Sequence, residues 1–124
     1  MKERQDDRKQ IGRAGELIAQ TYLREQGFMI LEMNWRCKSG ELDIVAELDQ
    51  VLVFVEVRTR KRLGSYGTAK ESVNPRKQQQ VRETAQYYLH RFRKYEQRVR
   101  FDVITIELKD EGEVPFLEHI QGAF

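Results

Sequence analysis

Apolar residues recur at helical spacing in two stretches of the chain and at every second position in others. In "IGRAGELIAQTYLREQG", Ala14, Leu17, Ile18 and Thr21 fall along one helical face, and Gly27 suits the left-handed position just past a helix end. The strand "FMILEMNWRC" follows directly. Next come "ELDIVAEL" and "VLVFVEVR", separated by Asp49 and Gln50 and rich in residues that suit a pleated surface. They predict a hairpin whose second strand is buried on both faces.

Pro75 opens a second helix, where its missing N–H costs nothing, and Val81, Ala85, Tyr88, Leu89 and Phe92 recur at helical spacing. "RVRFDVITIEL" alternates as a strand, with Phe101, Val103 and Thr105 on one face and Asp102, Ile104 and Ile106 on the other. The tail "PFLEHIQGAF" offers one more short strand. The order of helix, three strands, helix and strand predicts an α/β fold, a mixed central sheet flanked by helices. Residues 1–10 are polar without periodicity and are expected to be a flexible arm, leaving 11–124 as a single domain. The stretch "TRKRLGSYGTAKESVN" is too long for a mere connection.

A chain of 124 residues is long enough for one domain with a real core. No apolar run approaches the length of a membrane span, and "MKERQDDRKQ" has no apolar core of a secretion signal. The lone Cys37 has no partner for a disulfide or a CxxC zinc site. A soluble, cytoplasmic protein is expected. His90 and His119 lack ligand spacing with each other or with Cys37, and no nucleophile elbow, phosphate loop or dinucleotide fingerprint is present.

Charge changes the picture. The net charge of +2 conceals residues 58–100, which hold 13 basic and 3 acidic side chains. Such an excess is the footprint of phosphate binding, although helices also carry surplus Lys and Arg for solubility. Arg60, Lys61 and Arg62, and then Arg76, Lys77 and Arg82 at the start of the second helix, are the candidate nucleic-acid contacts. No base-reading motif accompanies them, so recognition by shape is expected. Tyr66, between Gly64 and Gly67, is placed either to stack on an unpaired base or to lie on the protein's own surface.

The hairpin also carries Glu41, Asp43, Glu56 and Arg58 among apolar neighbours. A two-residue Asp49–Gln50 turn sets Asp43 directly across from Glu56 and Glu41 across from Arg58, whereas a three-residue turn would send the two acids to different faces. Two carboxylates about 4 Å apart repel by roughly 4 kcal/mol at an effective dielectric near 20, so protonation, a neighbouring cation or a divalent metal must offset them. Mg²⁺ suits such a site because it takes one or two carboxylates together with water and phosphate oxygens. The competing explanation is a solvated hairpin face in which Glu41 pairs with Arg58.

Asp43, followed on the next strand by Glu56-Val57-Arg58, resembles the PD-(D/E)xK motif of the restriction-endonuclease-like superfamily. "GELIAQTYL", "NWRCKSGELDIVA", "VFVEVRTR" and "LEHIQGAF" together resemble the YraN family of small bacterial proteins, which are similar to Holliday junction resolvases. The resemblance covers about Gly12 to Phe124. It implies a restriction-endonuclease-like core and a metal-dependent endonuclease acting on DNA, branched DNA included, by phosphodiester hydrolysis. It further implies Mg²⁺ or Mn²⁺ held by Glu16, Asp43, Glu56 and the Val57 backbone carbonyl. Glu16 is equally explained as an acid favoured near the positive end of a helix. Resolvases of this type work as dimers, so the resemblance allows a homodimer, although no apolar stripe in the sequence demands one. The departure is Arg58, which stands where the motif has lysine: a guanidinium can hold phosphate and stabilise charge but is a poor proton carrier. The alternatives are a nucleic-acid-binding module that cuts nothing, and an interaction domain whose basic helix docks an acidic partner.

Overall fold

A computed structural model describes residues 2–61, 73–110 and 113–124, with side chains from residue 8 onward. The chain folds as α1 (Lys2–Glu25), β1 (Met29–Cys37), β2 (Gly40–Leu48), β3 (Val51–Lys61), α2 (Pro75–Arg91), β4 (Arg98–Leu108) and β5 (Phe116–Ile120). The five strands form one sheet in sequential order, with β3 and β4 parallel and the other neighbours antiparallel. The parallel step needs a crossover, and α2 supplies it. This is the mixed α/β sheet flanked by helices that the pattern predicts, and it is consistent with a restriction-endonuclease-like core.

Helix α1 covers one face of the sheet, where Ala19, Leu23 and Phe28 pack on Ile44, Ala46, Val53, Val55, Ile104 and Ile106. Helix α2 covers the other, where Val81, Ala85, Tyr88 and Leu89 pack on Leu42, Val45, Leu52 and Phe54. Strand β3 contributes to both layers, which is why Leu52 through Glu56 are all buried.

Three local signals act as the sequence predicts. Gly27 adopts φ +94° and closes α1, with its N–H donating to Arg24 O (3.0 Å) and the Phe28 N–H donating to Leu23 O (2.9 Å). Asp49 and Gln50 both take positive φ (50° and 68°), which suits a two-residue hairpin turn, and Leu48 faces Val51. Asn74 caps α2 by accepting from the Lys77 N–H (2.9 Å), with Pro75 following in the first turn.

Two expectations are corrected. Helix α1 starts at Lys2, inside the stretch expected as an arm, because Lys, Glu, Arg and Gln are good helix formers even without an apolar face. Its buried face is also rotated from the one predicted: Leu17 is 62% exposed and Thr21 exposed, while Gly15, Ala19 and Leu23 are buried. Gly15 sets the rotation, since a Cβ there would overlap the Thr59 side chain on β3. Only a glycine lets helix and strand approach this closely. No helix among the described residues is long and apolar enough to cross a membrane.

Candidate metal centre

Helix α1, strand β2 and strand β3 deliver Glu16, Glu41, Asp43 and Glu56 to one end of the sheet. One carboxylate oxygen from each of Glu16, Glu41 and Asp43 lies within 4.8 Å of the other two. Glu56, 2% exposed, reaches Asp43 from the α2-facing series Leu52, Phe54, Glu56.

A break in the ladder brings them together. The β2/β3 register holds from Leu48↔Val51 to Ile44↔Val55, as the turn predicts. The next pair, Asp43 with Glu56, is absent from the ladder. Instead the Val57 N–H donates to Asp43 Oδ2 (2.9 Å) and the Asp43 N–H donates to Glu56 Oε2 (3.4 Å). Strand β3 stays paired with β4 along its whole length, so β2 is the strand that departs. Side-chain alternation slips at the same point. Ile44 and Ala46 face α1, yet Asp43 also joins Glu16 of α1, while Leu42 packs under α2. Asp43 and Glu56 therefore meet through the gap between strands, not side by side on one face.

The second pairing expected from the hairpin, Glu41 with Arg58, is also corrected. Glu41 pairs across the other edge of β2 with Arg36, whose Nε lies 2.8 Å from Glu41 Oε2. Arg58 is exposed and touches the site only through its charge, which opposes the upward shift of Glu56.

Neighbouring groups hold the acids in place. Asn34, in the left-handed region at φ 54°, turns its amide to donate to Glu16 Oε1 (3.2 Å). Asparagine tolerates this backbone where most residues do not. Lys77, in the first turn of α2, sets its Nζ 3.7 Å from Glu56 Oε1.

The electrostatics are those of acids with too little positive charge nearby. Burial pushes Asp43 up to about 6, with the Val57 N–H opposing and Glu16 adding to the rise. Burial and then the Asp43 charge push Glu56 up to about 8, with Lys77 opposing. Burial likewise raises Glu16, against the Asn34 hydrogen bond. Each carboxylate pair at this spacing repels by roughly 3 kcal/mol at an effective dielectric near 20. An all-oxygen donor set with surplus negative charge fits a hard divalent cation such as Mg²⁺ or Mn²⁺. Glu16, Asp43 and Glu41 offer the closest donors, and Glu56 adjoins them. Val57 enters through its N–H, which orients Asp43.

The predicted cationic contacts divide. Lys77 belongs to the acid cluster, and Arg76 is exposed beside it in the same helical turn. Arg60 and Lys61 end β3. Arg82 is drawn elsewhere, its guanidinium 5.4 Å from the centre of the Phe124 ring. Arg62 and Tyr66 lie outside the described residues. Sequence reasoning missed Glu41 as a cluster member, although its place two residues before Asp43 on a strand was a legible signal. It also missed Asn34, whose left-handed backbone left no mark in the pattern.

The model of the uncharacterised protein family UPF0102 matches residues 15–106. Curated relatives each named "UPF0102 protein" align over nearly the whole chain. The one from Geotalea daltonii is 44% identical over 122 residues, covering 98% of this chain and 94% of its own. That from Pelobacter propionicus is 48% identical and covers 95% and 84%, and that from Rhodococcus opacus is 43% identical and covers 92% and 95%.

Proposed function

The chain belongs to the uncharacterised protein family UPF0102, the YraN family that its motifs resemble, and we propose that it is a divalent-metal-dependent endonuclease that hydrolyses phosphodiester bonds in DNA. The observation that carries this reading is the convergence, from three separate elements, of Glu16, Glu41 and Asp43, with Glu56 against Asp43; burial raises Glu16, Asp43 and Glu56, and a neighbouring carboxylate adds to each rise. A fold gains nothing from collecting like charges in an enclosed place, so the arrangement points to a ligand that neutralises them.

Glu16, Asp43 and Glu56, together with Glu41, are the residues that would hold Mg²⁺ or Mn²⁺, which when bound would supply positive charge to the phosphate and make a water easier to deprotonate. The chain's own groups orient these donors: the Val57 N–H fixes Asp43, and the Asn34 amide fixes Glu16. Lys77 brings an ammonium to Glu56, from the helix rather than from the strand position that Arg58 occupies. There it would add positive charge beside a bound phosphate. Arg58, Arg60, Lys61 and Arg76 would grip the flanking backbone without reading bases, which favours DNA recognised by shape, branched DNA included. Pairing of two copies, to cut two strands, belongs to the same proposal.

One specific observation favours a second reading, a nucleic-acid-binding module that does not cut. Arg58 stands exposed at the motif's lysine position, and a guanidinium is a poor proton carrier. The two are separated by incubating the protein with labelled linear, flapped and four-way DNA in Mg²⁺, in Mn²⁺ and in chelator. The nuclease reading expects metal-dependent cleavage of at least one structure, reduced at least a hundredfold in Asp43→Asn. Salt-dependent binding without cleavage in either metal selects the binding module.

A further inference from the structure

Arg36 stands where the acidic cluster opens to solvent. Its Nε lies 2.8 Å from Glu41 Oε2, its side chain is 77% exposed and that of Glu41 29%. The two residues face each other on paired strands, so the backbone fixes their approach. An ion pair this exposed contributes little to folding, so breaking it costs little.

Two clefts meet at this pair. One, about 430 Å³, runs along α1 and is lined by Lys9, Arg13, Glu16 and Asn34. The other, about 370 Å³, runs toward α2 and is lined by Gly40, Lys77 and Gln80. Arg36 and Glu41 line both. The acids lie between, and cations stand on either side: Lys9 and Arg13 toward one helix, Lys77 toward the other. A polyanionic strand laid along the clefts would cross the acid cluster beside Arg36.

Resting on the function proposed above, we infer that Arg36 is a positioning residue that exchanges between Glu41 and a substrate phosphate. Without a cation it pairs with Glu41, a member of the Glu16–Glu41–Asp43 group. When a divalent cation takes up the Glu41 charge, the guanidinium turns to the nucleic-acid backbone lying across the two clefts. Arginine suits the exchange because its planar fork carries five donors that match carboxylate and phosphate alike, and contact through Nε engages one of them. Arg36 therefore opposes metal binding in the free protein and supports nucleic-acid binding, two effects of opposite sign.

The test uses the full chain. Mn²⁺ is titrated calorimetrically, without nucleic acid, into wild type, Arg36→Gln, Arg36→Lys, Glu41→Gln and the double variant Arg36→Gln/Glu41→Gln, and into wild type again with a short four-way DNA present. Affinity for a short four-way DNA is measured separately in chelator across a range of salt. Arg36→Gln is expected to tighten Mn²⁺ about fivefold, the scale of releasing Glu41 from an exposed ion pair. It should weaken DNA several-fold and lower the salt slope by about one. The Mn²⁺ gain should vanish when Glu41 is already Gln, and Arg36→Lys should keep wild-type Mn²⁺ affinity. A merely structural pair would give neither the opposite signs nor the dependence on Glu41. Unchanged or weaker Mn²⁺ binding in Arg36→Gln, or unchanged DNA binding, overturns the role of Arg36 alone. Wild type that binds no Mn²⁺ even with DNA added overturns the nuclease reading and this inference with it.

Discussion

Asp102 on β4 and Glu56 on β3 are both enclosed carboxylates of one sheet, 0% and 2% exposed, and the protein treats them oppositely. Asp102 accepts from Arg100 Nε and Nη2 (2.8 and 2.9 Å), from the Gly122 N–H (3.0 Å) and from His119 Nε2 (2.7 Å). His119 also meets the Tyr22 hydroxyl through its Nδ1 (2.9 Å), so the ring bridges Tyr22 and Asp102. Burial alone would raise Asp102, but the His119 and Arg100 hydrogen bonds outweigh it and hold the group below the ordinary carboxylate range. Glu56 has one ammonium at 3.7 Å, one long contact to a backbone N–H and another carboxylate close by, and it rises to about 8. The fold can satisfy a buried acid when stability is the only demand. Where it leaves acids short of partners, it leaves room for a cation.

The largest expected effect breaks the satisfied side. Asp102→Ala strips a partner from Arg100, His119 and the Gly122 N–H, and a severed buried pair costs about 3–5 kcal/mol. Urea denaturation should show a loss of unfolding free energy of that size, and a loss below about 1 kcal/mol would contradict the contrast. The opposite sign is expected at the cluster. Glu56→Gln removes a repelling charge, so in chelator at pH 8 it should stabilise the protein by on the order of 2 kcal/mol.

The same contrast fixes a pH dependence. A carboxyl whose pKa is raised on folding holds its proton more tightly in the folded chain, so its contribution is full in acid and lost as pH climbs through the raised value. For Glu56 that window runs from the ordinary 4.5 to about 8. Asp102, held low, contributes above the ordinary carboxylate range and loses its contribution as pH falls. The melting temperature of metal-free protein should therefore fall between pH 4.5 and 8, and Glu56→Gln should flatten the decline. A melting temperature that rises with pH across this window would sink the assignment.

A smaller effect sharpens the geometry. Gly15→Ala drives a methyl group into Thr59, whose hydroxyl is buried without a hydrogen-bond partner. Overpacking of this kind costs about 1–3 kcal/mol. Because Glu16 is the next residue, the displaced helix should also weaken Mn²⁺ binding about tenfold, measurable in the same samples. Lost stability with unchanged Mn²⁺ affinity would detach Glu16 from the centre.

The elements were legible because their signals are local: the Asp49–Gln50 turn, the Gly27 helix end, the Pro75 start and the alternation of β4 all act within a few residues. The acids could be found because carboxylates in an apolar strand stand out. What escaped the pattern depends on contacts between distant segments. The slip at Asp43 arises because β3 follows β4 while β2 departs, and that competition is written in no single stretch. The Glu41 partner depended on β1, not on the hairpin that contains Glu41. His119 lacked ligand spacing, and its role is to bridge Tyr22 and Asp102, 97 and 17 residues away in sequence.

The most direct test of the account is calorimetric titration of Mn²⁺ into wild type, Asp43→Asn, Glu56→Gln and Asp102→Asn, with and without a short four-way DNA. Binding by wild type that disappears in Asp43→Asn and Glu56→Gln, and survives in folded Asp102→Asn, is the predicted result. Mn²⁺ binding that is absent from wild type, or that persists in both cluster variants, would contradict it.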